Sequence, residues 1–186
     1  MTEHLFFNKN QLKKCGKNVI IGKTVRIRYP ELIEIGDNVI IDDFTYISTA
    51  LKINSFVHIA PSCSLIGGKQ TTIFIDSFST LAPSCVLSAG SDDYIGGIAT
   101  PLIPNQFKGN VEYGDIKIGS HVILGSHSVV LPNITLQNGS SSGAFTLINK
   151  NLDPWKLYIG IPCRFHKDRD KKNIKDLENQ FRKSSN

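Results

Sequence analysis

An apolar residue returns at every sixth position through most of this 186-residue chain. The series runs Ile21, Ile27, Ile33, slips by two residues, and resumes as Ile35, Ile41, Ile47, Ile53, Ile59 and Leu65, then Ile75, Leu81 and Leu87. After a gap it continues as Ile118, Leu124, Val130, Leu136, Ser142 and Ile148, and only Ser142 is not aliphatic. Glycine often follows the lead residue (Gly22, Gly36, Gly119, Gly125, Gly143). The fourth place after the lead is usually small or apolar (Val39, Thr45, Leu51, Val57, Cys63). A period of six matches neither a helix nor a simple strand, so it is an internal repeat.

Each hexad is a short strand plus a turn and cannot bury its apolar edge alone. Three hexads per coil make a triangular prism whose lead residues fill the axis and whose faces hydrogen-bond to the coils above and below. Strand alternation points the lead residue and the fourth residue after it inward. Glycine and asparagine near the corners suit the positive φ that such turns demand. Prolines mark corner sites that need no backbone donor (Pro61, Pro83, Pro132). The reading is an all-β parallel β-helix over 18–165, after an N-terminal segment 1–17 and before a basic C-terminal stretch 166–186. In that last stretch the spacing of Ile174, Leu177 and Phe181 predicts one amphipathic helix, expected to cap the open end of the prism. Residues 91–115 fit no hexad. With Tyr94, Phe107, Tyr113 and several glycines and prolines, they read as an ordered extruded loop.

Composition narrows the function classes. No run approaches the roughly 20 apolar residues of a membrane helix, and Met1 to Lys14 lacks the apolar core of a signal peptide, so a cytoplasmic chain without a membrane span is expected. The four cysteines have no metal-ligand spacing, and Cys63 and Cys85 read as packed thiols. The formal +5 charge is concentrated between Lys150 and Lys183 with no regular interleaved aromatic pattern and no recognition motif, which argues against nucleic acid and for a solvated tail or a phosphorylated cofactor.

The repeat resembles that of the hexapeptide-repeat acyltransferases, which implies a left-handed parallel β-helix. From Ile118 to Lys167 the chain is similar to the galactoside and maltose type acetyltransferases: IGSHVILGSHSVVLPNITL, SGAFTLINKNL and GIPCRF stand where that family has its acetyl-CoA segments. The resemblance implies acetyl-CoA as cosubstrate and no metal. Ser126 and Ala144 would meet the pantetheine arm, and Asn149, Lys150, Arg164 and Lys167 the adenine and 3′-phosphate end. Small residues and backbone amides suit a thin acyl arm, and Lys or Arg suits a phosphate. Asn149, Asn133 and Asn138 depart from the family's usual threonine, glycine and aspartate. The resemblance further implies a homotrimer with the cofactor groove between neighbouring prisms.

Acyl transfer to a hydroxyl or amine needs a base near neutrality. Galactoside-type enzymes carry it as histidine in a TAGHP segment, which here reads Ser88-Ala89-Gly90-Ser91-Asp92, so serine replaces it. His58 and His121 are the catalytic candidates, with His127 behind them and His4 and His166 read as surface residues. His58, in VHIAPSC, is similar to the HIAHDC of sugar-nucleotide acyltransferases, although their second histidine is Pro61 here. Acetyltransferases of lipopolysaccharide and capsule gene sets look similar at His58 to Ala60, Asp92 to Tyr94, His121 and Pro154-Trp155. Asp92, Asp93 and Tyr94 are therefore expected to bind the acceptor beside His58, with a sugar, sugar-nucleotide or lipid-linked glycan as partner, acetylated on a hydroxyl or an amine in lipopolysaccharide, O-antigen or capsule synthesis. The alternatives are a non-catalytic assembly protein on the same prism, or a γ-carbonic-anhydrase-like metal enzyme using histidines across an interface.

Overall fold

The computed structural model describes residues 7–184, so His4 and the start of the N-terminal segment lie outside the described residues. Short parallel strands wind into about seven coils. One face of the prism is an eight-stranded sheet. The other two merge into a ten-stranded sheet because Tyr46–Ile53 and Ser64–Ile75 run unbroken round the corner between them. The hexad leads stack in register, Ile21 with Ile41, Ile41 with Ile59 and Ile59 with Leu81, and all are buried. The fourth-place residues Val39, Thr45, Leu51, Val57 and Cys63 are buried with them. Among the described residues no helix is long and apolar enough to cross a membrane.

The corners depart from the expected glycine and asparagine. Asn18, Asn38 and Asn133 do hold positive φ, but so do Phe56, Phe78, His121 and Trp155. The left-handed backbone costs an ordinary residue about 1–2 kcal/mol, and stacking offsets it. Phe56 lies on Phe78 at 5.0 Å between centroids, Phe78 on His121 at 5.3 Å, and His121 near Trp155 at 5.9 Å. Gly139 occupies the corner between His121 and Trp155, where a Cβ would collide with the indole. The result is an aromatic ladder along one edge of the prism.

The C-terminal helix α1 (Lys171–Ser184) covers that ladder. It therefore runs along a lateral edge and does not cap the open end, as the spacing alone suggested. Ile174, Leu177 and Phe181 face Phe56, Phe78 and His121 across a groove of about 410 Å³, and Phe181 meets Phe56 edge-on at 5.3 Å. The physical reason is that the ladder leaves an apolar strip outside the core, which the apolar face of α1 covers. The chain is turned toward it by Arg169, whose guanidinium donates to the carbonyls of His121 (2.6 Å) and Gly139 (2.7 Å). The last coil ends instead in a reversed strand, Arg164–Asp168, antiparallel to Lys156–Ile159.

The extruded loop leaves at Ala89 and returns at Gly114, closed at its root by the antiparallel pair Gly90–Ser91 and Glu112–Tyr113. It emerges where Ser64–Ile75 bends, at the corner between the second and third faces. That corner is opposite the eight-stranded face.

Candidate active site

His58 lies on the eight-stranded face, in Val57–Ile59, between Val39–Ile41 below and Thr80–Leu81 above. Alternation buries Val57 and Ile59 and turns His58 outward. Asp42, which follows Ile41 one coil below, places Oδ2 2.7 Å from His58 Nε2. A carboxylate only accepts, so Nε2 carries the hydrogen, and in the neutral imidazole the lone pair then lies on Nδ1. Both side chains remain open to solvent, 43% and 39% exposed. Above Asp42 the same row continues as Ala60, Ala82, Gly125 and Gly143. These residues are small by necessity: a Cβ on Gly125 would strike the backbone of Gly143, and one on Gly143 would strike Ile159. The row makes a smooth floor running up from the His58–Asp42 pair. Asp42 was not singled out by sequence reasoning, yet it is the one charged residue in a row otherwise glycine, alanine or isoleucine.

His121 has the same kind of partner in different surroundings. Its Nε2 is 2.8 Å from Glu178 Oε2, with side chains only 8% and 10% exposed, beneath α1 and between Phe78 and Trp155. Glu178 also accepts from Lys175 (2.7 Å) and Arg182 (2.8 Å). Burial opposes its ionisation, but the bonds from Lys175, Arg182 and His121 outweigh it and hold the carboxyl down at about 2. His127 stacks on Phe145 at 4.8 Å on the next corner, exposed, and His166 is exposed on the last strand. Among the described residues no group of three His, Cys, Asp or Glu is placed to share a metal ion.

Ser126 and Ala144 stand one above the other on the corner between the first and second faces, since Phe145 N donates to Ser126 O. In this row the lower coils hold Pro61 and Pro83, which have no N–H. Among the described residues the N–H groups of Ser126 and Ala144 have no protein acceptor. Two outward donors beside glycines fit the amide carbonyls of a pantetheine arm. Inside this corner Ser142 breaks the aliphatic series for a reason: its hydroxyl accepts from Gly125 N (3.2 Å) and meets Ser128 Oγ at 3.1 Å, while Ser128 donates to Gly143 O (3.0 Å). Arg164 pairs with Ile159 and Lys167 with Leu157, at the top of the first face near Ala144. Asn149 and Lys150 follow Leu147–Ile148 and lie at the far edge of the second face. All four are exposed, so the structure gathers the six expected cofactor residues around the upper coils, split between two edges.

The acceptor residues are placed differently. Asp93 accepts from Ile95 N (2.9 Å), Gly96 N (3.0 Å) and Asn110 N (2.9 Å), bonds that hold its carboxyl below the ordinary range, the Asn110 bond most. It ties the loop's two arms together. Asp92 is exposed and Tyr94 is 87% exposed. Because the loop leaves from the corner opposite the His58 face, a single chain does not bring Asp92, Asp93 and Tyr94 to His58.

No family model matches the chain. A curated relative from Escherichia coli, dTDP-4-amino-4,6-dideoxy-D-glucose acyltransferase, is 31% identical over 93% of this chain and 90% of its own length. The structure of AntD, an N-acyltransferase from Bacillus cereus, in complex with dTDP and 3-hydroxybutyryl-CoA, superimposes with a TM-score of 0.90, 38% identity and 98% coverage of both chains. A maltose O-acetyltransferase from Clostridium difficile 630 shares the fold at TM-score 0.60 and 20% identity, covering 88% of this chain and 73% of that one. The six-residue period, the coils it builds and a likeness that spans nearly the whole chain lead to one conclusion: this is an acyltransferase enzyme on a left-handed parallel β-helix, and it belongs to the hexapeptide-repeat sugar acyltransferase family.

Proposed function

We propose that the chain transfers an acyl group, acetyl or a close homologue, from acyl-CoA to the amine of a dTDP-linked amino sugar. The observation that carries this reading is the open His58–Asp42 pair on a face lined with small residues, against which the CoA edge of a neighbouring chain, with the unpaired N–H groups of Ser126 and Ala144, can lie. The acceptor class is supported by the names of the two relatives that match over nearly the full length. The acceptor nitrogen attacks the thioester carbonyl directly. The C–N bond forms, the C–S bond breaks, and the proton passes from nitrogen to His58 Nδ1 and on to the departing thiolate. Asp42 holds the tautomer and steadies the imidazolium. N–H groups near Ser126 offset the developing oxyanion.

The site is completed between chains. Since one chain keeps its loop away from its own His58, the His58 face of one protomer works with the CoA edge and loop of a neighbour in a homotrimer. Arg164, Lys167, Asn149 and Lys150 hold the nucleotide end of CoA, and His121 serves the edge ladder. The reaction belongs in the cytoplasm, in synthesis of the sugar units of lipopolysaccharide, O-antigen or capsule. The test is thiol release from acetyl-CoA against dTDP-linked amino sugars and their hydroxyl counterparts. Turnover restricted to the amines supports the reading, and turnover only with hydroxyl acceptors replaces it with O-acylation.

A further inference from the structure

The corner that carries Ser126 and Ala144 is unusual on its inner side. Its fourth-place residues in five successive coils are Thr45, Cys63, Cys85, Ser128 and Thr146, all buried and all able to donate a hydrogen. The next corner holds Leu51, Ile73, Ile116 and Ile134 in the same place. Four of the donors are used alike. Thr45 Oγ1 donates to Ala60 O (3.4 Å), Cys63 Sγ to Ala82 O (3.4 Å), Cys85 Sγ to Gly125 O (3.3 Å) and Ser128 Oγ to Gly143 O (3.0 Å), always one coil above. Thr146 Oγ1 adds a second bond to Gly143 O (2.8 Å).

A trans peptide carries its C=O and the following N–H on opposite sides, so a carbonyl held inward aims that N–H outward. After Ala60 and Ala82 the next residues are Pro61 and Pro83, and there is no N–H to aim. In the two coils above, three things change together. Proline gives way to Ser126 and Ala144, alanine to Gly125 and Gly143, and the aliphatic lead of the upper coil to Ser142. Gly125 is then gripped from inside at both ends: its N–H donates to Ser142 Oγ (3.2 Å), and its C=O accepts from Cys85. It also lies directly beneath the Gly143–Ala144 peptide, where a Cβ would strike Gly143 C and Ala144 N. Neither corner peptide can tilt without breaking a buried hydrogen bond.

We infer that Cys85 and Ser142 are positioning residues that aim the Ser126 N–H at the carbonyl under attack, and that Ser128 and Thr146 aim the Ala144 N–H at the pantetheine arm. This rests on the proposed seat of acyl-CoA along this corner. The test is single-turnover thiol release from acetyl-CoA with a dTDP-linked amino sugar, beside calorimetric titration with coenzyme A and thermal unfolding of each variant. Cys85→Val nearly keeps the volume and removes the donor, whereas Cys85→Ser keeps a donor and is smaller. Cys85→Val should slow the transfer by roughly 10-fold, part of the loss that follows removal of an oxyanion donor, with coenzyme A affinity kept. Cys85→Ser should recover most of that rate even where it unfolds at a lower temperature than Cys85→Val. Packing alone would rank the two the other way. Ser128→Ala combined with Thr146→Val should instead weaken coenzyme A several-fold. Should Cys85→Val fail to fold, Cys85→Ala against Cys85→Ser carries the same comparison. If Cys85→Val transfers at the wild-type rate while Ala144→Trp abolishes coenzyme A binding, the positioning role is overturned and the cofactor edge stands. If Ala144→Trp binds coenzyme A as the wild type does, both fall together.

Discussion

Two histidine–carboxylate pairs stand on this prism at almost the same separation, 2.7 Å for His58–Asp42 and 2.8 Å for His121–Glu178. Their chemistry diverges because of what surrounds them. His58 has one acid, open solvent on the other side of the ring and a floor of small residues leading away from it. His121 has an acid already engaged by Lys175 and Arg182, aromatic rings above and below, and a helix over the top. The first arrangement leaves a ring nitrogen free to take a proton from a substrate. The second spends its polar groups on one another and holds α1 to the edge. A histidine paired with a carboxylate is therefore not in itself a base; access and the remaining lone pair decide.

The largest effect expected from this contrast is on catalysis. His58→Ala should lower kcat/KM by about 10²–10⁴-fold with coenzyme A affinity kept, the usual cost of losing a general base. Asp42→Asn, which frees the tautomer, should cost roughly 10–100-fold, as loss of an orienting outer partner does. His121→Gln should stay within a few-fold of wild type. Steady-state kinetics on the three variants ranks them, and a deep loss in His121→Gln with a mild one in His58→Ala would reverse the roles.

The next effect is on the edge. Glu178→Ala leaves His121, Lys175 and Arg182 without their acid and should destabilise α1 docking by about 2–3 kcal/mol. The chain's single tryptophan, Trp155, belongs to the ladder, so its emission reports the release. Acid should do the same to the wild type. The Glu178 carboxyl is held at about 2 against an ordinary 4.5, so it contributes stability that is complete above pH 4.5 and lost as the pH falls toward 2. In Glu178→Gln that acid transition in Trp155 emission should disappear.

Smaller effects belong to the loop. Asp93→Asn keeps one acceptor oxygen for the three backbone donors, so the loop should loosen without unfolding, and the acceptor KM should rise several-fold while coenzyme A affinity holds. Tyr94→Ala removes a side chain that touches little of its own chain and should leave thermal stability within about 0.5 kcal/mol. A rise in acceptor KM in that variant would mark Tyr94 as reaching a neighbour's site.

Much of this was legible in the sequence. The six-residue period carries the coils, the inward rows and the two faces that meet at Ser126 and Ala144, because a repeat fixes position around an axis. The same counting puts His121 and His127 on equivalent corners. It cannot say that one is sealed and the other exposed, since that depends on where α1 docks, a contact between residues more than fifty apart. The helix itself was readable from Ile174, Leu177 and Phe181, but its seat was not, because the ladder exists only once Phe56, Phe78, His121 and Trp155 adopt left-handed corners. Asp42 was legible as a charge in a row of small residues, yet its partner sits sixteen residues on, and only stacking joins them. The carboxylate of Asp93 reads equally as substrate ligand or loop tie until its three backbone donors are in place.

The claim on which most depends is that each acyl-transfer site is shared between two chains, and mixing inactive subunits tests it most directly. His58→Ala removes the base proposed on one face, and Ala144→Trp, at an exposed corner, would block the CoA edge proposed on the other. Each variant alone should be inactive, and co-refolding them in equal amounts should restore activity to about a quarter of the sites, those in which a wild-type face meets a wild-type edge in a symmetric oligomer. A mixture that remains as inactive as its parts, with exchange of subunits verified by mass, would contradict a shared site and return His58, the loop and the CoA edge to separate chains.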